Sequence, residues 1–93
     1  MKGNLKSERL YQELEDVIVR LYPEIRREEG WFRTGVCVLK GKKILFVNNR
    51  QTVDERIAAL ADAIARCDTD DMYLKPVVRA EIERYSQSLK QTA

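Results

Sequence analysis

Between Ser7 and Leu21 the apolar side chains fall at Leu10, Leu14, Val17, Ile18 and Leu21. That spacing draws one stripe down an amphipathic helix. Ser7 stands where an N-cap would, followed by Glu8 at the positive end of the helix dipole. Pro23 cannot continue a helix and biases Tyr22 toward extended backbone, so the helix is expected to stop at Leu21 or Tyr22. Tyr11, Val19 and Tyr22 lie outside the stripe and are read as surplus apolar surface.

The next stretch changes period. Glu24-Ile25-Arg26-Arg27-Glu28 has weak alternation and fits a short edge strand. Gly30 and Gly35 bracket Trp31-Phe32-Arg33-Thr34, for which the pattern fixes no conformation. Two apolar runs, Val36 to Leu39 and Ile44 to Val47, flank Lys40-Gly41-Lys42-Lys43 and predict a β-hairpin, with Cys37 in its core. Both runs are apolar at every position, whereas a strand with one wet face alternates. Both faces therefore need cover, either from helices on both sides of the sheet or from a second copy of the chain.

Thr52 and Glu55 have the spacing of a capping box, and Ile57, Leu60, Ala61, Ile64 and Ala65 form a second helical stripe ending near Arg66 or Cys67. Asp68-Thr69-Asp70-Asp71 reads as a polar connection. A last helix is expected near Lys75, with Pro76 at its first position and Leu74, Val78, Ile82, Tyr85 and Leu89 along one face. The predicted class is α+β: one domain over residues 1–93, order α-β-β-β-α-α, with a small antiparallel sheet and three helices. Residues 1–6 and 90–93 are expected to fray.

Composition narrows the chemistry. Among the 93 residues there is no histidine, which removes the commonest general base and metal ligand. Cys37 and Cys67 stand in separate elements, away from the turn clusters of stapled secreted domains, and read as reduced thiols of a cytoplasmic protein. No stretch approaches a membrane span, and Met1 to Lys6 lacks the apolar centre of a signal peptide. The net charge of +2 is unevenly spread: residues 1–23 are neutral, 24–50 carry +4, and 51–93 carry −2.

Specific motifs mostly fail. Asp68-x-Asp70-Asp71 invites calcium, but Tyr73 and Arg79 stand where an EF-hand loop needs Gly and Glu. No phosphate-cradling glycine loop occurs. A thiolate nucleophile has no base to help it, and Cys67 lies near the wrong end of a helix dipole. Neither a catalytic residue nor a cofactor or metal is expected. The candidate surface is basic and aromatic: Arg26, Arg27, Trp31, Phe32, Arg33, Lys40, Lys42, Lys43 and Arg50, suited to a partner or to nucleic acid through phosphate contacts and base stacking.

The stretch from Gly35 to Arg66 resembles minimal zincin-type metallopeptidase domains of the ImmA/IrrE-like group. The resemblance rests on a hairpin ending in Ile44-Leu45-Phe46-Val47-Asn48, followed by a helix with Asp62-Ala63-Ile64-Ala65-Arg66 in place of H-E-x-x-H. It implies a degenerate domain, because the two histidine positions hold Asp62 and Arg66 and the catalytic glutamate position holds Ala63. Phe32 to Leu39 also resembles the Phe-x-x-Gly-x-Cys-x-Leu stretch of small uncharacterised bacterial proteins, a family that implies no activity. The expected function is a non-catalytic protein-interaction or scaffold module, homodimeric through its hairpin and free of membranes. A nucleic-acid-binding module on the basic surface is the alternative, and the degenerate zincin-like domain a third.

Overall fold

The elements follow in the order α1 (Leu5–Leu21), β1 (Glu24–Glu28), β2 (Gly35–Leu39), β3 (Lys42–Asn48), α2 (Val53–Ala65) and α3 (Pro76–Thr92). They come from a computed structural model that describes the backbone of residues 5–92 and the side chains of residues 6–85. Class and order are those the sequence predicts. α1 opens two residues before Ser7, which therefore lies inside the helix and is not its cap. Leu14, Val17 and Ile18 bury their stripe, and Val19 stays outside. Tyr22 is not surplus surface. Its N–H closes the helix on the Ile18 carbonyl at 3.0 Å, its ring is 4% exposed, and its hydroxyl donates to the Ala63 carbonyl of α2 at 3.0 Å.

β3 lies between β1 and β2. It runs antiparallel to β2, closed by the two-residue turn Lys40-Gly41, whose φ angles of 51° and 77° are the positive pair that a right-twisted hairpin requires. It runs parallel to β1, with Glu24 beside Ile44 and Glu28 beside Asn48. The sheet is thus mixed, where the sequence predicts an antiparallel one. Polarity explains the placement. Ile44, Leu45 and Val47 are buried and take the centre, while β1, charged at four of its five positions, takes an edge where those groups reach water. Residues 29–34 then pass over the end of β3 to start β2 on its far side.

The helices stack on one face of the sheet. Ile25, Leu45 and Val47 meet Leu14, Ile18, Ile57, Leu60, Ile64, Leu74 and Val78 in a single core. Thr52 accepts from the Glu55 N–H and Glu55 reaches back to the Thr52 N–H, the expected capping box. α3 begins at Pro76 as expected and continues through Thr92; Leu89 lies outside the described side chains. The expectation that both hairpin strands are covered holds for β3 and fails for β2. Val36, Val38 and Leu39 are 37%, 64% and 49% exposed, and Cys37 is exposed rather than in a core. The cause is position: β2 is an edge strand, and among the described residues the helices pack on one face of the sheet alone.

Candidate interaction surface

One end of the sheet is organised by Asn48, the last residue of β3. It is 4% exposed, and its side-chain amide donates to the carbonyls of Gly30 at 3.0 Å and Phe32 at 2.5 Å. Its side-chain carbonyl accepts from the Arg50 N–H at 3.0 Å, and its own N–H donates to Thr34 Oγ1 at 2.9 Å. The Thr34 N–H in turn donates to the Gln51 side chain at 2.9 Å. A buried amide thus holds the crossing segment against the strand end, satisfying backbone groups that have no ladder partner.

That framework presents aromatic rings beside cations. Phe32 packs edge-on against Phe46, with centroids 6.3 Å apart, and Arg26 stands 5.8 Å from the Phe46 centroid. Trp31 is 95% exposed, with the Arg50 guanidinium 5.3 Å from its ring centre. Trp31, Phe32, Arg33 and Arg50 line an open depression of about 510 Å³. The three lysines are elsewhere: Lys40 lies in the hairpin turn and Lys42 and Lys43 open β3, at the opposite end of the sheet. Arg26 pairs with Glu24 at 2.7 Å, and Arg27 pairs with Glu15 of α1. The structure therefore separates the sequence's basic group into an aromatic end, a lysine end and an ion-paired edge.

The two edges differ sharply. β1 reads Glu-Ile-Arg-Arg-Glu; β2 reads Gly-Val-Cys-Val-Leu. Charged side chains on an edge strand discourage further strand pairing, and β2 has none, nor any proline or bulge. Its neighbour on the open face of the sheet, Phe46, is only half-buried. The sequence reading missed this distinction between edges, and it missed Asn48, Thr34 and Gln51 as supports of the aromatic end. The only local signal for them was a polar residue ending an apolar strand.

Among the described residues no group of three His, Cys, Asp or Glu side chains could hold a metal ion, and no helix is long and apolar enough to cross a membrane. At the end of α2, Asp62 pairs with the capping Arg66 at 3.1 Å, and Ala63 between them is buried with its carbonyl taken by Tyr22. The Asp68-to-Asp71 connection is a turn in which the Asp68 carboxylate accepts from the Asp70 N–H at 3.0 Å.

The buried tyrosine gives a pH prediction. Burial first, then its hydrogen bond with Cys67, pushes the Tyr22 hydroxyl well above its ordinary value of 10.0. The native state thus holds this proton more tightly than the unfolded chain. The associated stability is complete below about pH 10 and is lost as pH climbs toward the native value. Tyr22→Phe is expected to cost about 1 kcal/mol at neutral pH and to flatten the alkaline decline. Urea midpoints at neutral and strongly alkaline pH test this; a mutant that declines as steeply as the wild type refutes it.

The chain matches no protein-family model, no curated protein and no solved structure.

Proposed function

We propose that this chain is a non-catalytic, cytoplasmic protein-interaction module that pairs with a second copy of itself through the β2 side of its sheet. The observation that carries this reading is the contrast between the edges: the charged β1 resists pairing, whereas β2 offers an uncharged apolar strand with open backbone groups. Two-fold dimers are the commonest way for a soluble chain to cover such a surface. Light scattering at tens of micromolar is expected to give twice the chain mass of 10.9 kDa. Val38→Lys, at a position already 64% exposed, is expected to return the mass to one chain without unfolding it. A wild-type chain that stays single overturns the proposal.

Exposed Trp31 beneath Arg50 favours a second reading, binding of single-stranded nucleic acid by stacking at the aromatic end. Trp31 is the single tryptophan, so its fluorescence reports directly. The first reading expects no quenching by micromolar oligonucleotide. Quenching that weakens with salt and disappears in Arg50→Glu promotes the second reading over the first.

A further inference from the structure

We propose that two copies join β2 to β2, antiparallel about a two-fold axis at Cys37, to make one continuous six-stranded sheet. This rests on the self-association proposed above and adds its register.

The hairpin determines which backbone groups are free. Across a two-residue turn the closing pair, Leu39 and Lys42, exchanges both of its hydrogen bonds, and the pattern then alternates along the strands. Gly35, Cys37 and Leu39 therefore turn their N–H and C=O groups toward β3. Val36 and Val38 turn theirs outward.

An antiparallel self-pairing has to match outward residues with outward residues, which leaves three registers. Placing Val36 opposite itself sets Val38 against Thr34, whose N–H is already given to Gln51. Placing Val38 opposite itself sets Val36 against Lys40, which lies in the left-handed turn and cannot act as strand. Placing Val36 opposite Val38 of the other copy satisfies both valines in both chains and overlaps all five residues of β2.

Side chains fit that register. On the helix side each Val36 meets a Val38, a β-branched pair suited to cross-strand packing. On the open side Gly35 leaves room for Leu39, and Cys37 faces Cys37. No charge occurs among the paired residues. The first one beyond them, Lys40, meets Thr34 at the rim of a cavity lined by Glu55 and Asp62 as well as by Arg33, so the charges met there are mixed.

The register predicts a crosslink. Cys37 and its copy form a non-hydrogen-bonded pair with Cα atoms about 4.5 Å apart, within disulfide reach. Two copies of residue 36, or of residue 38, stand diagonally about 8 Å apart, beyond that reach. The experiment compares three single-cysteine chains under copper–phenanthroline oxidation. One is Cys67→Ser, which keeps Cys37; the others add Val36→Cys or Val38→Cys to Cys37→Ser/Cys67→Ser. The expected result is a shift to two-chain mass on a non-reducing gel for the first alone, with all three chains of two-chain mass by light scattering. Two-chain mass with crosslinking at position 36 or 38, or at no position, overturns the register and leaves self-association standing. Single-chain mass by light scattering overturns both.

Discussion

Asn48→Asp is expected to destabilise the chain by about 3 kcal/mol, and by more than Asn48→Ala does. Asparagine and aspartate have nearly the same shape, so the difference isolates hydrogen-bond polarity. The Asn48 amide donates to two backbone carbonyls, at 3.0 and 2.5 Å, from a side chain that is almost wholly buried. Alanine leaves those carbonyls and the Arg50 N–H without this partner. Aspartate does worse, because it aims a carboxylate oxygen at two carbonyl oxygens and takes a charge into a buried site built around an amide donor. The deficit should shrink at acid pH, where the protonated carboxyl regains one donor. Urea unfolding at neutral and acid pH checks both parts. An aspartate variant as stable as the alanine one removes Asn48 from its place as the support of the crossing segment.

Leu60→Ala is expected to cost about 3–4 kcal/mol. Leu60 is fully buried in the middle of α2, which packs against both α1 and α3. The lost methyl groups forfeit their transfer energy, and helices held on both sides cannot collapse far into the space. In a chain of this size that corresponds to a fall in Tm on the order of 15 °C. Val19→Ala, on an exposed face of α1, should change stability by less than about 0.5 kcal/mol. Thermal unfolding of the two variants side by side is decisive: comparable shifts would mean the core is not where the packing puts it.

What the sequence reveals and what it conceals divide along locality. The stripes of α1 and α2, the Thr52–Glu55 box, Pro76 at a helix start and a hairpin turning within Lys40-Gly41-Lys42-Lys43 are all written within a few residues and are readable; only the narrowing of that turn to Lys40-Gly41 needs the structure. The parallel pairing of β1 with β3 joins residues some twenty positions apart and leaves no local trace. β2 and β3 look alike as apolar runs. Polarity states what a side chain prefers, not whether its strand lies at the centre or the edge of a sheet, so the exposure of Val38 and Cys37 was not legible. The basic group misled for a related reason. Lys43 and Arg50 are close in sequence, yet β3, rising about 3.3 Å per residue, carries them to opposite ends of the sheet. Asn48 matters through the carbonyls of Gly30 and Phe32, a relation that exists only once the crossing segment is in place.

Hydrogen exchange resolved along the backbone, at low and high protein concentration, tests most directly whether β2 is the working surface. Edge-to-edge association gives the outward N–H groups of Val36 and Val38 partners they lack in a single chain, so their exchange should slow as concentration rises, while β1 and the segment around Trp31 remain unchanged. Protection that is independent of concentration at residues 35–39, or that develops at β1 or Trp31 instead, would contradict the account.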